Sequence, residues 1–434
     1  MPDRPDQKVG FGRSAWEDGS VPSAPAGDPL RGDEHCDLVV VGTGFLGLST
    51  ALHAARAGKA VRLIEARGIG EGASGLNGGQ VIPGLKYDPE WLVEHFGAKQ
   101  GEALIELAAS TADAVFDLIR NERLDVPYGR SGWIQAAHTQ AALEAAAERH
   151  RQWAARRADV ALIDADEIAA LAGTIGYAGG WLDRRAGTVQ PLVMTRELAR
   201  VATEAGVRIA SATRATKLTR RDGSWRVGTD AGASVTAPAV VVAANAYADD
   251  LVPGLARSIV WLHSLQVATA PLSPRLAATV LPGGQAVSDS RRILVYYRMS
   301  PDGPLVLGGR GRMAEPVRAD DWRHLRHAML RLFPALAEVP IERRWYGRVA
   351  MTPDHLPHIH EPEQGLIAVA GCQGRGVGLM TALGPRIAAY LGARDPAQLP
   401  LPFMPIRPIP LHRFRRAGIA ATIGWYRLRD RLER

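Results

Sequence analysis

Gly42, Gly44 and Gly47 stand in the spacing G-x-G-x-x-G within CDLVVVGTGFLGLSTALHAARAGKAVRLIEA. In such a motif the first glycine permits a tight turn, the second lets the backbone approach a pyrophosphate, and the third allows a helix to pack closely on a strand. The free N–H groups and positive dipole end of the helix that follows then point at the phosphates. Glu65 closes the second apolar run, eighteen residues past Gly47. A carboxylate there accepts hydrogen bonds from both ribose hydroxyls and repels a 2′-phosphate, which disfavours NADP. The motif alone fits a plain glycine turn; strand, helix, second strand and terminal acid in that order make it a dinucleotide site.

A second glycine-rich stretch, EGASGLNGGQ (Glu71 to Gln80), follows directly on the second strand. Its exposed N–H groups, with Ser74 and Asn77, suit a second approach to a pyrophosphate and the edge of a large planar ring. That favours FAD over NAD, the alternative being a flexible surface loop.

These residues need a frame. The first unit is βαβ, with its apolar runs near residues 40 and 60. AVVVAANAYA and GLIAVAG supply further fully apolar strands near residues 240 and 368, of the kind that sit inside a parallel sheet. The nucleotide domain is therefore discontinuous. Helical patterns run over Trp91 to Asn121, Ala141 to Arg157, Pro191 to Ala205, Asp320 to Leu332 and Leu379 to Leu391. KLTRRDGSWRVGTDAGASVTA reads as a small meander. Leu262 to Leu272 and Ile293 to Gly309 read as strands of a second sheet, the latter a hairpin turning at Pro301-Asp302-Gly303. The expected class is α/β: a Rossmann-like FAD-binding domain in pieces 35–90, 189–256 and 339–403, and an inserted α+β substrate domain on an antiparallel sheet in pieces 91–188 and 257–338. A mobile or draped arm (1–34) precedes them and a basic tail helix (404–434) follows.

Composition excludes several classes. The 434 residues are 46% hydrophobic and 22% charged, as in an ordinary globular protein. No apolar stretch reaches the roughly 18 residues of a membrane helix, so stable membrane insertion is not expected. Cys36 and Cys372 allow at most one bridge, which points to a reducing, cytoplasmic setting and removes cysteine-based zinc sites. The net charge is +7, and the segment from Met404 to Arg434 alone, with eight arginines against Asp430 and Glu433, carries +6. The body offers no basic stripe for nucleic acid. The tail helix could touch an anionic membrane surface, pack back on the FAD domain or join a homo-oligomer; packing is the expected outcome.

VVVGTGFLGLSTAL, GASGLNGGQVIPGLK, AVVVAANAY, GRVAMTPDHLPHI (Gly347 to Ile359) and GCQGRGVGL (Gly371 to Leu379) together resemble the D-amino-acid oxidase-like family of FAD-dependent oxidoreductases, most closely its γ-glutamylputrescine oxidoreductase group. The resemblance implies a two-domain fold, with the flavin ring facing a cavity roofed by an antiparallel sheet. It also implies removal of a hydride from a carbon bearing an amine, the imine then hydrolysing. By position, Gly42, Gly44, Gly47 and Glu65 would hold the ADP half, with Phe45, Leu46, Ala66, Arg67 and Ala244 as further cofactor contacts. Ser74, Asn77, Gly78, Gly79 and Gln80 would line the phosphates and ring. Gly374, Arg375, Gly376 and Val377 would approach the pyrimidine end, where a cation or N–H dipoles stabilise negative charge.

Three departures refine this. Relatives with covalent flavin carry cysteine where this chain has Gly347, so FAD is expected to be noncovalent. A substrate-carboxylate lysine of sarcosine-type oxidases falls at Gly378, which favours a longer amine, such as a γ-glutamylated polyamine. The roof lysine that promotes oxygen attack is missing from Pro304 to Gly309, and Lys86 is the nearest substitute. The acceptor is thus oxygen, giving peroxide, or a quinone or protein carrier, as in an amino-acid dehydrogenase. A noncatalytic electron-transfer subunit is the reading from another class.

An amine must be neutral when its hydride leaves, so a base, or a pocket selecting the free base, is required. His263 is the first candidate. Tyr296 and Tyr297 could form an aromatic cage for the amine, and Arg348 could lie over the ring or bind a substrate anion. His355, His358 and His360 sit on a loop without a carboxylate at helical spacing, and no metal is expected.

Overall fold

The computed structural model describes residues 13–19 and 21–432. LVVV, VRLI, AVVV and LIAVA are short runs of mainly β-branched residues, nearly all buried, and they form neighbouring parallel strands. The sheet runs Arg208–Ala210, Val61–Ile64, Leu38–Val41, Ala239–Val242, Leu366–Ala370, all parallel, with His358–Glu363 antiparallel at the edge. One face is covered by the helices Phe45–Arg56, Pro89–Asn121, Pro191–Glu204 and Gly376–Ala393. A meander, Ala215–Arg221, Ser224–Thr229 and Ser234–Ala237, covers the other through Trp225, Val227 and Val235.

An eight-stranded sheet forms the roof, in the order Ile341–Met351, Val260–Pro271, Pro304–Arg310, Val295–Met299, Ala286–Asp289, Trp133–Ala137, Gly179–Asp183, Val160–Asp164. All its pairings are antiparallel except Ala286–Asp289 with Trp133–Ala137. Leu265, Val267, Tyr297 and Leu307 point outward onto the helix Arg323–Leu332 and Trp322. Ser264, Gln266, Tyr296 and Arg298, one residue out of step, point inward to the second glycine-rich loop, as the period of two requires.

Three boundaries differ from the sequence expectation. Ile341–Met351 pairs with Val260–Pro271 and belongs to the roof rather than to the nucleotide piece beginning at 339. Helix Pro89–Asn121, bent at Gly97 (φ 76°), buries Leu104, Leu107 and Ala108 in the core shared with Gly376–Ala393, so its packing is that of the nucleotide domain. The described part of the arm is anchored, not loose: Trp16 and Leu30 are buried, Asp28 pairs with Arg62 and Arg208, and Asp33–His35 pairs with the meander. Residues 1–12 of the expected mobile arm lie outside the described residues.

Candidate active site

The first turn is built around forced glycines. Gly42 has φ +107°, and a Cβ at Gly47 would stand 1.9 Å from the Gly42 carbonyl oxygen. Helix Phe45–Arg56 therefore starts tight against the end of Leu38–Val41. Its first free N–H, on Phe45, donates to Ser74 Oγ at 3.0 Å, which couples the two glycine-rich turns. Glu65 accepts from the Thr43 N–H (3.0 Å) and hydroxyl (2.7 Å) and from the Arg67 N–H (2.8 Å), so its carboxylate already organises the turn.

A cleft of about 480 Å³ opens at these strand ends. Of the residues singled out from sequence, Gly42, Gly44, Phe45, Leu46, Glu65, Ala66, Arg67, Ser74 and Ala244 line it, and Gly47 backs it. Arg348 lines it too, held 4.3 Å from the Trp261 ring centroid and 5.2 Å from that of Tyr247. Arg348 thus sits in this cleft rather than under the inner roof face.

The second turn is clamped from several sides. The Leu76 carbonyl accepts from Gln266 Nε2 (2.6 Å) and Trp345 Nε1 (3.0 Å), and the Asn77 carbonyl from Trp16 Nε1 (2.8 Å). Asn77 Oδ1 accepts the Gly79 N–H. Gln80 donates to the carbonyls of Val287 and Tyr297, tying the loop to the roof. Gly78 lies against the Tyr296 ring, and a Cβ there would come within 2.7 Å of it. Beneath Gly79 the buried Arg298 guanidinium stacks 4.7 Å from the Trp16 ring centroid and donates to the Val189 carbonyl; burial pushes its pKa down to about 9.

Strand alternation separates the catalytic candidates. Tyr296 faces inward, its hydroxyl 2.7 Å from Ser264 Oγ, and burial raises its pKa to about 12. Tyr297 faces outward, fully buried against Phe333, so the two tyrosines cannot form one cage. His263 is also on the outer face. Its Nδ1 donates to the carbonyls of Arg312 (2.9 Å) and Ala314 (3.1 Å), and burial lowers its pKa. That geometry is of a packing histidine on the face shared with Arg348 and opposite to that of Tyr296, which argues against its use as the base. Lys86 is exposed at the end of the second loop, its pKa lowered by partial desolvation and then by Arg149 and Arg375. His358 pairs with Asp354 while His360 donates to the Met404 carbonyl, so the histidines diverge.

Arg375 caps helix Gly376–Ala393 and donates to the Pro83 carbonyl at 2.6 Å; burial, then Arg149, lowers its pKa to about 10. Gly374 is exposed beside it, and Met380, one turn into the helix, lines the cleft. A Cβ at Gly378 would approach the Thr111 carbonyl oxygen to 3.0 Å, so a side chain there would require that backbone to shift. Gly347 lies over Leu76 and offers the second loop no nucleophile.

Sequence reading missed four contributors. Arg310 lies opposite Ser264 in the register, hence on the inner face, and burial lowers its pKa. Gln266 and Trp345 hold the loop. Counting strand residues in twos from Ser264 would have found Gln266; Trp16 had no periodic signal.

The protein-family model described as FAD dependent oxidoreductase (DAO) matches residues 37–390. A probable oxidoreductase OrdL of Rhizobium meliloti (strain 1021) is 29% identical over 425 residues, spanning 96% of this chain and 97% of the relative. The γ-glutamylputrescine oxidoreductase of Escherichia coli (strain K12) is 30% identical over 410 residues, spanning 93% and 95%. Among solved structures, glycine oxidase from Geobacillus kaustophilus superposes with a TM-score of 0.72 at 20% identity, covering 87% of this chain and 99% of that one. The two coupled glycine turns, the inward roof face and these likenesses converge: the chain belongs to the DAO family of FAD-dependent oxidoreductases.

Proposed function

We propose that this chain oxidises the C–N bond of a secondary or primary amine that also carries an anionic group, a γ-glutamylated polyamine being the favoured example, with noncovalent FAD. The observation that carries the reading is the opposition of the second glycine turn to an inner roof face bearing Tyr296 and Arg310. Bound FAD supplies a two-electron acceptor for the hydride on the carbon beside nitrogen. The residues lining the cleft would hold its ADP half, and the Asn77–Gln80 turn and the Arg375–Val377 helix start would meet the ring.

The protein's own contribution is selection and orientation. Arg149, Arg375 and Arg310 all act on Lys86 as like charges at one side of the site. A positive wall disfavours an ammonium and favours the free amine, the form whose lone pair stabilises the developing cation. The same wall attracts a carboxylate at the far end of the substrate. Tyr296, with its pKa near 12, remains a neutral donor at working pH and does not serve as a base. The product imine takes up water and separates into a carbonyl compound and an amine.

Oxygen is the proposed acceptor, with hydrogen peroxide as product. A quinone or protein carrier is the second reading, favoured by the roof strand Pro304–Arg310, which holds no lysine. Turnover of γ-glutamylputrescine under air, with peroxide and dye reduction measured side by side, tests the pair. Stoichiometric peroxide supports oxidase action; dye reduction without peroxide supports the carrier. Turnover with neither acceptor, across an amine panel, would overturn the reading. Acid precipitation should leave a yellow supernatant, and colour in the pellet would contradict noncovalent attachment.

A further inference from the structure

The C-terminal helix Arg415–Leu432 presents two different faces. Arg415, Ile419, Ile423 and Tyr426 are half-buried at helical spacing and form the side turned to the body. The approach to the helix is fixed by Ile409, whose N–H donates to the Arg257 carbonyl, and by His412, which bonds the Ile259 carbonyl at 3.0 Å. The other side is in solvent: Phe414 is 55% and Trp425 57% exposed, with exposed Ala417 and Ala421 between them. At 3.6 residues per turn Ala417, Ala421 and Trp425 lie along one stripe of the helix, and Phe414 stands in the short turn His412–Phe414 just before it. Leu411, 70% exposed, precedes that turn. Exposed Arg413 and Arg416 border the stripe, Arg413 stacking 4.7 Å from the Phe414 ring centroid.

Such a stripe has an occupant class written into its charge. Six of the chain's seven net positive charges fall within Met404 to Arg434. Two aromatic rings beside arginines match the interface of an anionic bilayer, where rings sit at headgroup level and guanidinium groups meet phosphates. No helix among the described residues is long and apolar enough to cross a membrane, so the contact would be peripheral.

We propose that this helix docks the protein on anionic phospholipid surfaces, with Phe414 and Trp425 inserted and Arg413 and Arg416 on headgroups. The proposal is independent of the flavin chemistry. The test is co-sedimentation of the purified holoenzyme with phosphatidylglycerol–phosphatidylcholine vesicles and with phosphatidylcholine vesicles alone. Binding is expected only to the former and should weaken with salt, as exposed charges are screened. Arg413→Gln with Arg416→Gln should weaken it about 30-fold, at ~1 kcal/mol per arginine. Phe414→Ala with Trp425→Ala should remove most of it, both variants retaining FAD and amine turnover in the absence of lipid. Equal binding to both vesicle types, or undiminished binding by the aromatic variant, would overturn the proposal. So would a dimer in solution that dissociates in the aromatic variant without any vesicle binding by the parent, which would make the stripe a seam between copies.

Discussion

At the scale of single residues, the glycines carry the sharpest consequences. Gly47→Ala sets a methyl group against the Gly42 carbonyl at a distance no relaxation of one side chain can relieve, whereas Gly44→Ala meets only Ser74 Oγ at 3.0 Å. Purified Gly47→Ala should therefore come without FAD and resist reconstitution, while Gly44→Ala should keep the cofactor with reduced affinity; FAD content and titration distinguish them. Arg310 makes a different kind of claim. If its guanidinium holds a substrate carboxylate, Arg310→Met loses a charged hydrogen bond of about 1.5–3 kcal/mol, raising KM roughly 10- to 100-fold with kcat little changed. An equal fall in kcat with unchanged KM would assign Arg310 elsewhere. The glycine turn was legible in sequence because only glycine meets those steric demands. Arg310 was not, because an arginine in a strand carries no mark of which face it occupies until the partner strand is known.

At the scale of elements, the roof explains why the catalytic candidates were harder to read than the cleft. Its central strands are buried on both faces, and the run VYYRM of Val295–Met299 lacks the alternation of polar and apolar residues that would have placed Tyr297 outward and Tyr296 inward. Whether the arm is mobile or draped was not legible for the converse reason: one indole, one leucine, scattered ion pairs and a three-residue strand hold it, and none has a period. That indole leads to a prediction. Trp16→Phe keeps a ring against Trp345 and Arg298 but leaves the Asn77 carbonyl without its donor. A net hydrogen bond of about 1 kcal/mol corresponds to roughly fivefold weaker FAD binding. Trp16→Phe with unaltered FAD affinity would show the arm to be packing alone.

At the scale of the whole molecule, the buried imidazoles set an acid limit on the fold. His263 and His360, both almost wholly buried, have pKa values lowered chiefly by burial. Below the ordinary imidazole value of 6.5 the unfolded chain takes up protons that the folded chain refuses, so stability falls as pH drops from there toward the folded values. Thermal unfolding followed against pH should show that decline, and His263→Gln should make it shallower. A flat profile through this range would contradict neutral burial. The division into a nucleotide domain and a roof was legible because apolar strand runs and turn chemistry recur along the chain. The exact seams were not, since Pro89–Asn121 and Ile341–Met351 join their partners only through long-range packing. On the proposed reading the two halves meet in electron transfer, from a carbon beside nitrogen under the roof to a flavin ring at the second glycine turn. Anaerobic mixing of the FAD-loaded protein with γ-glutamylputrescine and a panel of related amines tests this most directly. The account predicts loss of the oxidised flavin absorption with one amine oxidised per flavin reduced; a flavin band that no amine bleaches would contradict it.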